Sequence, residues 1–140
     1  MRVSSCIAVT NNVSDEKDPV VWMRRAQSAL RVAELGGSPG TEWEDFCFHC
    51  QQAAEKAIKA IFVSKGLQHR YTHSIENLLT SLAGLGIEIP EDIRDAATLS
   101  RFAGETRYPG VYERIDEADF RRALEVARCV VDWAKEVANL

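Results

Sequence analysis

Three short stretches of this sequence gather side chains that could do chemistry. Between Phe46 and Ile61, the residues His49, Gln52, Lys56 and Lys59 recur at three- and four-residue spacing, which on a helix sets them in one line. A second stretch, Arg70-Tyr71-Thr72-His73, and a third, Arg107-Tyr108-Pro109-Gly110, each place an arginine near an aromatic or titratable ring. Cations, amides and an imidazole in this company recognise phosphate or a similar anion, and a histidine beside a fixed cation could also move protons in phosphodiester cleavage. The candidate ligand-binding residues are therefore His49, Gln52, Lys56, Arg70, His73, Arg107 and Tyr108. If the chain cleaves RNA, the candidate catalytic residues are His73, Arg70 and Arg107.

Plainer roles compete with these. His73 beside Thr72 either helps to cap a helix or lines an anion pocket. Lys56 and Lys59 read first as a solvated face, because Glu55 and Lys59 form the favourable i,i+4 helix pair. His49, on the border of an apolar stripe, reads as a hydrogen-bonded histidine rather than a ligand. Arg107 and Tyr108 are either pinned to the body by a buried carboxylate or presented to a phosphate and a base. Cys47, His49 and Cys50 fall within four residues, but ligands so close on one helical turn point in different directions, and no second ligand cluster follows. No metal and no cofactor are expected, and Cys6, Cys47, Cys50 and Cys129 read as thiols rather than a disulfide framework.

The elements that must position these groups are helices. Asp18-Pro19 supplies an N-cap and a first-turn proline, and Trp22, Met23, Ala26, Leu30 and Ala33 keep helical spacing up to Gly36-Gly37. Thr41 and Glu44 have the form of a capping box for a second helix. Phe46, Cys50, Ala53, Ala54, Ala57, Ile58 and Ile61 form its buried stripe, and it ends near Lys65-Gly66. A third helix starts between Thr72 and Ser74, turns Ile75, Leu78, Leu79 and Leu82 inward, and stops at Gly84 or Gly86. Pro90 opens a shorter helix with Ile93, Ala96, Ala97 and Leu99 buried, and residues 105–110 form an ordered loop. Asp116 with Asp119 restarts a long closing helix from Phe120 to Ala138. With no segment of sustained apolar–polar alternation, the pattern predicts an all-α up-and-down bundle of four to five helices. Val126, Cys129 and Trp133 widen the apolar face of the closing helix, which suits either a homodimer surface or a broader monomer core.

Composition narrows what the bundle could do. The 140 residues, 46% hydrophobic and 27% charged, suit one globular domain at 18–140 behind a loose tail at 1–17. A formal net charge of -4 excludes a surface that is cationic throughout and requires any anion site to be local. No apolar run approaches the roughly 18 residues of a membrane span, and the first ten residues lack the length of a secretory h-region. A cytoplasmic location is expected, with no membrane partner.

Phe48-His49-Cys50-Gln51-Gln52-Ala53-Ala54-Glu55-Lys56-Ala57-Ile58-Lys59-Ala60, then Thr72-His73-Ser74 with Leu78, then Thr106-Arg107-Tyr108-Pro109-Gly110, resemble the pattern of HEPN-domain proteins over most of residues 18–138. The resemblance implies a bundle of four or five helices that often dimerises and is often encoded beside a minimal nucleotidyltransferase, in toxin–antitoxin-like systems. It also implies a link to nucleotide or RNA chemistry. The family's metal-independent RNases carry an Arg-x(4–6)-His motif, and here no arginine stands five to seven positions before His49, His69 or His73. The resemblance therefore implies a nucleotide- or RNA-associated binding module, non-catalytic and dimeric. The alternatives are an RNase with a non-standard Arg/His pair and a purely structural helical dimer.

Overall fold

The computed structural model describes residues 15–69, 71–104, 106, 108–110 and 113–140. After a 3-10 turn at Asp15–Lys17 come α1 (Pro19–Ala33), α2 (Trp43–Ser64), α3 (Ile75–Gly84), α4 (Glu91–Arg94) running on as a 3-10 helix (Asp95–Ala103), and α5 (Glu117–Ala138). Among the described residues there is no strand, and the chain is an all-α up-and-down bundle.

Helix α2 is the axis of the fold. It packs most extensively against α1 and α5, and the 3-10 helix and α3 close further sides. That central place follows from its sequence, since Cys50, Ala53, Ala54, Ala57 and Ala60 are fully buried and their small side chains let neighbouring axes approach closely. Ile58, Ile61 and Phe62 fill the spaces beyond them.

The caps follow the sequence in three of four cases. Asp18 accepts a hydrogen bond from Val20 N, Ser74 accepts one from Asn77 N, and Asp116 and Asp119 form a reciprocal capping box. The fourth expectation fails. Helix α2 has Glu42 at its N-cap with no side-chain cap bond, because the Thr41 hydroxyl donates instead to the Ser38 carbonyl and closes the preceding turn.

The segment after Pro90 also departs from the expected α-helix. Only Glu91–Arg94 is α-helical, and Asp95–Ala103 is a 3-10 helix. Its buried residues are Ile93, Ala96, Leu99 and Phe102, while Ala97 is half-buried. Strict spacing by three is the 3-10 period, in which i and i+3 eclipse. On α5, Val126 and Trp133 are half-buried against the core and Cys129 is exposed.

Candidate functional site

The most concentrated polar chemistry lies on α2 at Gln51, Glu55 and Lys59, spaced by four and all buried. Glu55 is the hub. Its Oε2 accepts from Lys59 Nζ at 2.8 Å, and its Oε1 accepts from Gln51 Nε2 at 2.9 Å and faces His73 Nδ1 at 3.1 Å. Burial alone would raise the Glu55 carboxyl, but hydrogen bonds from Lys59 and Gln51 and the charge of Lys59 outweigh it and hold the carboxyl below its usual range. An ionised carboxylate only accepts, so His73 Nδ1 carries the proton and Nε2 is left for the solvent side; the ring is 72% exposed.

A relay of amides runs from this hub to the surface. Gln52 Nε2 donates to Gln51 Oε1 at 2.7 Å, and Lys56 Nζ donates to Gln52 Oε1 at 2.7 Å. Aligned amides of this kind polarise one another. Lys56 spends one of its three donors here and keeps two for a ligand. It is half-buried, and burial pushes its ammonium down; Glu55 opposes the shift, and the nearby charges of Lys59 and Arg25 add to it. Desolvated and beside two other cations, Lys56 is an ammonium that an incoming anion would stabilise.

Several candidates take up this arrangement. His49, Gln52 and Lys56 form a half-buried line along α2, and His49 is pushed down by burial, with Asp45 opposing and Lys56 adding to the shift. His73 arrives from the segment before α3, where its carbonyl also accepts from Gln51 Nε2 at 3.2 Å. It does not cap α3, because that role belongs to Ser74. Lys59 departs from the expected solvated face: at 7% exposed it sits inside, because Glu55 compensates its charge there. Arg70 and Arg107 lie outside the described residues.

Tyr108 is exposed. Thr106 and Pro109 on either side of it line a cavity of about 520 Å³ with Glu42, Glu44, Asp45, Phe48 and Arg114, at the start of α2. Asp45 stands eleven positions before Lys56, roughly 16 Å along the axis. The loop that carries Tyr108 therefore returns to the start of α2, the end nearer His49 than Lys56. Glu42, Glu44 and Asp45 outnumber Arg114 in that wall and leave it acidic.

The sequence reading took Glu55 only as the helix partner of Lys59 and Trp22 only as part of an apolar stripe, and it singled out neither Gln51 nor Arg25 for the site. The signal for Gln51 and Glu55 was present, because polar residues at 51, 55 and 59 repeat by four along the flank of the apolar stripe. Trp22 is edge-on to His69 at 5.2 Å between ring centres, and Lys59 Nζ lies 5.9 Å from its ring, which brings α1 to the same site.

Among the described residues no group of three His, Cys, Asp or Glu could hold an ion. Burial pushes the Cys47 and Cys50 thiols up to about 12, and Cys129 is exposed. In the native protein a thiol reagent at pH 8 should leave Cys47 and Cys50 unmodified, and both should react once the protein is unfolded. Mass mapping of the labelled peptides checks this, and native labelling of Cys47 or Cys50 would contradict the buried placement.

The HEPN domain family matches residues 20–137. ST0689, an archaeal HEPN homologue of known crystal structure, is 30% identical, with 86% of this chain and 98% of that one covered and a TM-score of 0.71. The crystal structure of TT1696 from Thermus thermophilus is 28% identical, with 85% and 97% covered and a TM-score of 0.75. No curated protein matches the chain. Among the described residues no helix is long and apolar enough to cross a membrane.

Proposed function

Because this chain belongs to the HEPN domain family, we propose that it is a cytoplasmic, non-catalytic module that binds the phosphate of a nucleotide or RNA on the half-buried line of α2. The observation that supports this is Lys56: a desolvated ammonium among Arg25 and Lys59, oriented by Gln52 and holding two donors in reserve. The module acts as a homodimer, with the Val126, Cys129 and Trp133 face of α5 as its contact, and works with a minimal nucleotidyltransferase. Light scattering at micromolar concentration reports the dimer, and a monomer throughout would remove that part of the reading.

Calorimetric titration with a mononucleotide and a short RNA tests the site. Lys56→Ala should weaken binding about tenfold or more, the worth of a hydrogen bond to a charged group. Since the Lys56 pKa is lowered from 10.5, the affinity should begin to fall with rising pH earlier than an ordinary lysine would dictate. Unchanged affinity in Lys56→Ala would end the reading.

One observation favours a second reading. Glu55 fixes the His73 ring through Nδ1 and leaves Nε2 outward, which is how a carboxylate orients a general base. Under the binding reading a labelled RNA stays intact without metal. Cleavage that disappears in His73→Ala would replace it with an RNase using a non-standard Arg/His pair.

A further inference from the structure

The two amides between Glu55 and Lys56 could each point either way, but the groups at the ends of the relay leave them one choice. Gln51 is fully buried, and its Nε2 donates to Glu55 Oε1 at 2.9 Å and to the His73 carbonyl at 3.2 Å. An ionised carboxylate and a carbonyl only accept, so both hydrogens of the Gln51 amide are spent inward and its Oε1 turns toward Gln52. That oxygen takes the Gln52 Nε2, and Gln52 Oε1 is left outward as the acceptor that orients the Lys56 ammonium. Turned over, the Gln52 amide would present N–H to a group that can only donate. The direction of the relay is thus decided at its buried end.

We propose that Glu55 and Gln51 are positioning residues for the Lys56 anion site: the carboxylate, which touches no ligand, sets the polarity of the Gln51–Gln52 relay and through it the direction in which Lys56 donates. This rests on the anion-binding reading of Lys56 and adds the buried group that controls its affinity. A carboxylate is required there because of Lys59. Glu55 Oε2 accepts from Lys59 Nζ at 2.8 Å while Oε1 serves Gln51 and His73, so both ends of the side chain must accept. A glutamine in its place gives its one oxygen to the Lys59 ammonium and turns its nitrogen on Gln51. Gln51 then has a donor on one side and the His73 carbonyl on the other. The buried demand wins, because Glu55 is 4% exposed, whereas His73 is exposed and its carbonyl can bond water instead. The relay inverts, and Gln52 offers N–H to Lys56.

Charge alone predicts the opposite sign. Lys56 is faced by Arg25 of α1 and by Glu55, Lys59 and His49 of its own helix. Removing the one negative charge from this group makes the site more cationic and would tighten anion binding, whereas inversion of the relay weakens it. Replacing Lys59 as well separates the two accounts again. In Glu55→Gln/Lys59→Met no ammonium holds the oxygen of the introduced glutamine; the His73 carbonyl at one end and Lys56 at the other then restore the original direction.

Calorimetric titration of the full chain with a mononucleotide at pH 7, together with the imidazole nitrogen shifts of His73, tests the proposal. Glu55→Gln should weaken binding about five- to tenfold, the worth of one hydrogen bond, and Glu55→Gln/Lys59→Met should return to within about twofold of wild type. The His73 proton should sit on Nδ1 in the wild type, move to Nε2 in Glu55→Gln, where a nitrogen faces the ring, and return to Nδ1 in the double variant. A role in stability alone would move neither the tautomer nor the order of affinities. Gln51→Met cuts the relay without changing any charge, keeps the Glu55–Lys59 pair for folding, and should bind more weakly than wild type and more tightly than Glu55→Gln, since Gln52 is then free rather than forced. Affinity in Glu55→Gln equal to or above that of wild type overturns the proposal, as does wild-type affinity in Gln51→Met or a double variant no better than Glu55→Gln. If Lys56→Ala loses affinity and these variants do not, the relay alone fails; if Lys56→Ala binds like wild type, the anion reading fails and takes the relay's role with it.

Discussion

Lys59→Ala should destabilise the folded protein by about 3–5 kcal/mol and lower its melting temperature by roughly 10 °C or more. The size of the effect comes from what is left behind. Glu55 is 4% exposed, and Lys59 is its strongest partner, at 2.8 Å; without it an ionised carboxylate stays in the core with only Gln51 and His73 to hold it. An exposed i,i+4 pair of the same sequence would contribute only about 0.3–0.5 kcal/mol, so the experiment separates the two placements cleanly. Glu55→Gln/Lys59→Met removes both charges together and should recover much of the loss, because an apolar and neutral replacement of a buried pair is often close to neutral in stability.

The pH dependence carries the same signature. The folded Glu55 pKa is lowered from 4.5, so its contribution is present above the unfolded value and disappears as pH falls through the folded one. The gap in stability between wild type and Glu55→Gln should therefore be wide at pH 7 and close as acid is added. Chemical denaturation followed by circular dichroism at a series of pH values measures it. A Lys59→Ala loss below about 1 kcal/mol, the upper end for exposed pairs, would place the lysine in solvent.

The course of the helices was legible because each boundary had its own local chemistry: Asp18 before Pro19, Ser74 before Ile75, the Asp116–Asp119 box, and Gly66 at φ 69 after α2. The 3-10 helix was harder to see. Its apolar residues at 93, 96, 99 and 102 fit a period of three, but the first turns of an α-helical stripe also contain that spacing. At the site, the line of His49, Gln52 and Lys56 could be read from spacing alone. The burial of Lys59 could not, because a Glu-Lys pair at i,i+4 has one sequence and two possible environments. Tyr108 depended on which end of α2 its loop returns to, and Arg25 on how α1 lies across α2. Both are tertiary facts that a local pattern does not contain.

Just beyond the end of α1 the chain meets one aromatic cluster, and disturbing that contact should have the second large effect. Phe120 at the start of α5 is buried, stacked on Trp43 at 5.3 Å and edge-on to Phe46 at 6.1 Å. Its ring tip presses against Gly36, just beyond the end of α1, where an added Cβ would come within 2.8 Å of Cε2 and 2.9 Å of Cε1. Phe120→Ala should cost about 3–5 kcal/mol by leaving a cavity among the three elements. Gly36→Ala should cost about 1–3 kcal/mol for the opposite reason, since Trp43 and Phe46 leave the ring little room to retreat. The two losses share one atom-to-atom conflict, so they cannot add: in Gly36→Ala/Phe120→Ala the new methyl enters the space that the ring vacated, and the double variant should be less destabilised than the sum of the singles. Denaturant titration of the four proteins gives the coupling. Strict additivity would mean that Gly36 does not meet Phe120, and that the end of α1 is held against the bundle by something else.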